Sequence, residues 1–200
     1  MRLHPEDEDL LAVYAQTATA AGKAARVADF LRPGLTNRPV WVQWHRYYQN
    51  AHRSQSPEAS LTAEYRAELA RDPDNSALLY LLGRVVPTRA ESRALFAQAC
   101  AADPNNAFAY YARAYDCVSL GDWAGARPLL ARACALRPQQ AEFSSQFAVT
   151  RFVLAEYADL EKELRAQLQT HPLDQSACER LCDVLVAQGR TPEAQTVVAQ

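Results

Sequence analysis

Apolar residues recur with helical spacing along nearly the whole chain, and the pattern is clearest from Asn105 to Pro138. It predicts an apolar helix from about Ala107 to Leu120, a break at Gly121-Asp122 beside Trp123, a second helix ending near Leu136, and a closing proline. Neither helix can bury its apolar face alone, so such a pair asks for further pairs on both sides. Six prolines, Pro5, Pro39, Pro73, Pro104, Pro138 and Pro172, supply the phase of those copies, with intervals of 34, 34, 31, 34 and 34 residues. Proline lacks the N–H that an interior helix position needs, so a proline at constant phase marks a constant helix boundary. One array over residues 1–200 is expected, with units at about 6–39, 40–73, 74–104, 105–138, 139–172 and an incomplete 173–200.

Further columns appear when the units are aligned on these prolines. Eight residues before each closing position stand Leu31, Tyr65, Phe96, Leu130, Leu164 and Val198, all large and apolar. Four residues earlier come Val27, Leu61, Ser92, Ala126, Leu160 and Ala194, so each second helix directs an i, i+4 pair toward a shared core. Gly22, Ser56, Gly121, Ala155 and Gly189 occupy the expected inter-helix turns. Ala15, Gly83, Ala114, Ala148 and Cys182 form a small-residue column in which Gln49 is the misfit.

The departures from regularity carry information as well. Pro33-Gly34 should cut the second helix of the first unit short and leave Leu35 to Pro39 irregular. The third unit lacks three residues, so its first helix should lose about a turn, with Thr88 and Glu91 forming a capping box for the next. Ser56-Pro57 and Thr191-Pro192 read as a cap followed by an N1 proline, and Pro128 should weaken or bend its helix. Arg2-Leu3-His4-Pro5 resembles the helix tail Ala135-Leu136-Arg137-Pro138, and Thr196 to Ala199 shows no clear polar outer face. A segment of a longer array, or self-association through uncapped terminal helices, is therefore expected.

The chain resembles the tetratricopeptide repeat family, whose helix-turn-helix unit of 34 residues carries W-x2-L-G-x2-Y, then A-x3-F and a late proline. Leu79-x2-Leu82-Gly83-x2-Val86 matches the first pattern, and Ala126-x3-Leu130 and Ala194-x3-Val198 match the second. The resemblance implies an all-α fold, an α-α superhelix built as a right-handed solenoid of antiparallel helix pairs. It also implies a concave groove lined by the first helix of each unit. Some co-chaperone members hold a C-terminal carboxylate in a basic and Asn clamp; Arg46 and Asn50 match one corner, but Leu81, Phe108 and Ala112 stand where other polar groups are needed. That clamp is incomplete here.

Composition narrows the functional classes. A chain 49% hydrophobic and 22% charged is able to form a core, and a net charge of −2 argues against a protein built to hold phosphate backbones. No run is long and apolar enough to span a membrane, and Glu6-Asp7-Glu8-Asp9 replaces a signal core, so a cytoplasmic protein without membrane association is expected. Cys100, Cys117, Cys134, Cys178 and Cys182 read as reduced core thiols, with Cys178 and Cys182 one turn apart the least regular pair. His45 and His52 share a face without a third ligand, and no catalytic motif or cofactor signature is found. No enzyme activity, metal or cofactor is expected.

The most distinctive composition lies at Trp41 to Arg53, where aromatic and basic residues interleave. Trp41, Trp44 and Tyr48 follow core spacing. The groove implied by the resemblance would then be lined by Gln43, Arg46, Tyr47, Asn50 and Arg53, followed by Tyr80, Arg84, Phe108, Tyr111 and Tyr115. Arginine forks and rigid tyrosines suit an extended peptide or a carboxylate-bearing partner. Farther on, Glu142, Ser145, Gln146, Val149, Phe152, Glu179, Arg180 and Asp183 give the same face a more acidic character. The expected function is a non-catalytic protein-protein interaction scaffold. Two alternatives stay open: single-stranded RNA binding through stacking aromatics and arginines, and a regulatory arm of a larger enzyme.

Overall fold

The computed structural model describes residues 8–53 and 58–198. Expectations at Pro5, Ser56-Pro57, the Val198 side chain and the chain ends lie outside the described residues. Among those described, twelve α-helices and no strand are present: α1 Glu8–Ala20, α2 Ala24–Leu31, α3 Val42–Arg53, α4 Glu58–Arg71, α5 Ser76–Gly83, α6 Arg89–Ala102, α7 Ala107–Ser119, α8 Trp123–Leu136, α9 Ala141–Val153, α10 Tyr157–Thr170, α11 Gln175–Ala187 and α12 Thr191–Val198. Contacts gather into two compact units, one through Arg113 and one from Ala114 onward. In the first, α1 packs on α2, α2 on α3, α4 on α5 and α5 on α6, while α3 also touches α1 and α5. In the second, α8 to α12 pack each on the next.

The helix boundaries have local causes that repeat with the units. Pro73, Pro104, Pro138 and Pro172 all fall in the connections between units. Two residues beyond Pro73, Pro104 and Pro172, the side chains of Asn75, Asn106 and Asp174 accept a hydrogen bond from a backbone N–H of the following first turn, whereas Gln140, two beyond Pro138, makes no side-chain cap. Inside the units, the turns after α1, α7, α9 and α11 close in one way. The N–H of Lys23, Asp122, Glu156 and Arg190 returns to the carbonyl of Ala18, Cys117, Arg151 and Leu185 respectively, at 2.8–3.0 Å. This six-residue closure needs a left-handed residue at its corner. Gly22, Gly121 and Gly189 supply it with φ of 71°, 77° and 77°, and Ala155 takes the same conformation at 59°.

The apolar columns form the core. Leu31, Tyr65, Phe96, Leu130 and Leu164 are buried, as are Val27, Leu61, Ala126, Leu160 and Ala194. Ser92, the polar member of the second column, is satisfied by donating to the Gly83 carbonyl at 2.7 Å. The third unit is shortened as expected: α5 has 8 residues where α7 has 13. Thr88 caps α6, and the Glu91 carboxylate ion-pairs with Arg66. α8 runs through Pro128 without interruption.

Three expectations are corrected. Leu35 to Pro39 is not wholly irregular, because a 3-10 turn continues from Arg32 to Thr36 and lays Gly34 against the Trp44 ring. The start of α12 is one residue earlier in its hydrogen bonding than Thr191, since the N–H of Glu193 and Ala194 both turn to the Arg190 carbonyl. The cysteines are free thiols, but of the five only Cys100 is buried, the others being half-buried. On α12 the exposed described residues are Thr191, Pro192, Glu193, Gln195 and Thr196, while Val197 packs against the core.

Candidate functional site

The aromatic and basic stretch of α3 divides into two faces. On the inner one, Trp44 and Tyr48 are buried and Trp41 half-buried. Tyr14, Phe30, Trp44 and Trp41 form a chain of rings with centroids 5.1–5.9 Å apart. The Trp44 indole N–H donates to the Leu31 carbonyl at 2.6 Å. These rings pack α3 on α1 and α2, with Trp44 buried and Tyr14, Phe30 and Trp41 partly so.

A polar ladder runs beside them. His45 is 2% exposed and places Nδ1 2.9 Å from the Tyr65 hydroxyl, while its Nε2 has no hydrogen-bond partner. Burial, and secondarily the charge of Arg38, lowers its pKa to about 4, against a small opposing effect of the Leu35 backbone. Burial likewise raises the Tyr65 phenol. Gln49, the misfit in the small-residue column, is fully buried and satisfied: its amide donates to the Leu81 carbonyl and accepts from Arg84, both at 2.9 Å.

Arg84 ends this ladder at the surface. Its guanidinium bonds two neutral amides, Gln49 and Asn50, the latter at 3.2 Å. It has no carboxylate partner among the described residues. Burial lowers its pKa, and the nearby positive charges of Arg46 and Arg53 act in the same direction. Arg46 donates to Gln43 at 2.8 Å and lies over the Phe108 ring at 5.1 Å. Arg53 donates to the Arg84 carbonyl. A half-buried cation with only neutral partners keeps part of its desolvation cost uncompensated.

Arg46, Asn50, Arg53 and Arg84 thus gather in one patch of the first unit, with Gln43 beneath Arg46 and Tyr47 and Tyr111 half-buried. Tyr80 and Phe108 are corrections as ligand-facing residues. They are 2% and 3% exposed, because Tyr80 packs between Phe96 and Phe108 with ring centroids at 5.9 and 5.7 Å. Gln43 is buried too. Tyr115, 59% exposed, belongs to the second unit. The sequence reading missed the role of Tyr65, whose hydroxyl meets His45 from the second helix; the one hydroxyl in an otherwise hydrocarbon column was the available signal.

In the second unit, Val149, Phe152, Arg180 and Asp183, all expected on one face, surround a cleft of about 160 Å³ floored by Leu160 and Leu164. Arg180 reaches from α11 to the Ser145 hydroxyl of α9 at 3.1 Å. Among the described residues no three His, Cys, Asp or Glu side chains converge as a metal set, and no helix is long and apolar enough to cross a membrane.

No protein-family model and no curated protein sequence matches the chain. Solved structures do. MamA superposes with a TM-score of 0.60 at 17% identity, over 79% of this chain and 88% of that one. A tetratricopeptide repeat protein from Parabacteroides merdae gives 0.55 at 12% identity, over 97% and 78%. A thermophilic TPR protein of Thermus thermophilus gives 0.53 at 16% identity, over 90% and 99%. With its repeated helix pairs and their common turn closure, the chain has the tetratricopeptide repeat fold.

Proposed function

We propose that the chain is a non-catalytic protein-interaction scaffold, and that its first unit receives an extended acidic segment of a partner protein at Arg46, Asn50, Arg53 and Arg84. Tetratricopeptide-type neighbours support a protein-interaction scaffold at the family level. The observation that carries the finer reading is Arg84, a partly buried guanidinium bonded to two neutral amides, with two further arginines adding positive potential. A carboxylate from a partner would replace the missing counter-charge, and the planar fork would fix its orientation. The tryptophans play no part in this reading.

The test is a titration of a short labelled peptide rich in aspartate and glutamate, beside its asparagine and glutamine counterpart, against the wild-type chain and Arg84→Gln. Glutamine retains a neutral donor toward Asn50, so helix content should be kept. Removing one charge-assisted contact worth about 1.5 kcal/mol or more should weaken the acidic peptide about tenfold. Equal affinity for the two peptides, or an unchanged affinity in Arg84→Gln, would sink the assignment.

A further inference from the structure

The cleft of the second unit is where that unit's core reaches its surface. Leu160, Leu164 and Val184 belong to the buried cluster there, and Phe152 packs against it while also lining the cleft. Val149 stands at the mouth and is 50% exposed. Tyr157 meets Phe152 edge-on with ring centroids at 5.3 Å, which holds that wall in place. A volume of about 160 Å³ is on the scale of an engineered apolar cavity of about 150 Å³ that takes up benzene, and so suits one large apolar side chain.

The rim is charged on both sides and its charges are not spent on each other. Arg180 and Asp183 lie three residues apart on α11, yet no ion pair joins them. Arg180 is held toward α9 by the Ser145 hydroxyl, a neutral partner that occupies one of its donors. The Asp183 carboxylate has no hydrogen bond or ion pair among the described residues. An apolar hollow with one cation and one anion at its edge asks for a ligand of the same plan.

We propose that this cleft is a docking point for a peptide segment of a partner protein, taking a leucine, methionine or phenylalanine side chain between an acidic residue at Arg180 and a basic residue at Asp183. The inference rests on the reading of the chain as a peptide-binding scaffold, but uses other residues, in the other unit. A partner segment fits better than the α12 helix of a second copy, because the exposed described positions of α12 are mostly polar and offer no large apolar side chain.

Selection of a random peptide library displayed on phage against the full chain tests it. Selected peptides should share a large apolar residue with an acidic residue on one side and a basic residue on the other. Their affinity should fall at least tenfold on Val149→Asp, a substitution at an exposed site that leaves the floor of the cleft intact. The double variant Arg180→Glu with Asp183→Lys should select the reversed order of flanking charges. Peptides without the apolar residue, an affinity unchanged on Val149→Asp, or self-association of the chain that Val149→Asp abolishes would each overturn the proposal. Peptides that lose affinity on Arg84→Gln and keep it on Val149→Asp would overturn this proposal and leave the acidic-segment reading standing. If the wild-type chain selects no peptide, this proposal falls, while the acidic-segment reading is decided by its own peptide titration.

Discussion

His45 is the residue whose surroundings most constrain its chemistry. Its imidazole is enclosed, faces the Tyr65 hydroxyl and has a pKa of about 4, whereas in the unfolded chain it titrates near 6.5. Between these values the unfolded state binds the proton and the folded state does not, so stability falls as pH falls. The contribution of His45 is complete above pH 6.5 and is lost by about pH 4; a difference of this size corresponds to about 3 kcal/mol. Denaturant midpoints measured from pH 7 to 5 should therefore decline in the wild type. In His45→Gln, where an amide still meets Tyr65, that decline should flatten; an equal slope in both proteins would show that other groups set it. Ala155 is a second local case. Its φ of 59° costs an L-residue about 1–2 kcal/mol that glycine avoids, against a smaller entropic cost of glycine in the unfolded chain. Ala155→Gly should raise the stability of the second unit by about 1 kcal/mol, read as a higher denaturant midpoint with unchanged slope.

Among the elements, the shortened α5 shows how a deletion is absorbed by packing. Gly83, the last residue of α5, lies so close to Phe96 that an added Cβ would fall 2.6 Å from the ring, which also packs against Tyr80. Overpacking of about 1–3 kcal/mol outweighs the gain of about 1 kcal/mol from alanine's helix propensity. Gly83→Ala should thus lower stability, and exchange of the amides in α5 and α6 should quicken; protection equal to wild type would refute this. Helix pairs, turns and the lost turn of α5 were legible because proline, glycine and apolar columns act locally and repeat. The paired columns of charge were not. Arg127 with Glu156, and Glu161 with Arg190, occupy equivalent positions with the signs reversed. A charge column that swaps sign between units looks like an irregular solvated surface until the partner 29 residues away is seen. The candidate patch was legible in part. The groove implied by the family resemblance, extended by helical phase, placed Arg46, Asn50, Arg53 and Arg84 together, but it also placed Tyr80 and Phe108 there, because phase does not reveal that a ring is enclosed by its neighbours.

At the scale of the molecule, the choice between protein and RNA as partner turns on where rings and charges end up. Single-strand binding needs exposed aromatic faces for stacking along a positive track. Here Trp44 and Tyr48 are interior, Trp41 is half-buried and meets Trp44 edge to face, and the net charge is −2. The three arginines at Arg46, Arg53 and Arg84 form a patch rather than a track, and Arg46 is already engaged over Phe108. Such a surface can attract an RNA phosphate at low ionic strength, since each neutralised phosphate releases counterions, but the attraction decays steeply as salt is added. Mixed RNA oligomers titrated at about 150 mM salt should therefore bind no more tightly than the weak end of non-specific association, about 100 µM. Whatever binding appears at low salt should be insensitive to base composition. Tight binding at the higher salt, with a preference among sequences, would restore the RNA reading and require an aromatic face other than Trp41 and Trp44, for which Tyr115 is an exposed candidate in the second unit.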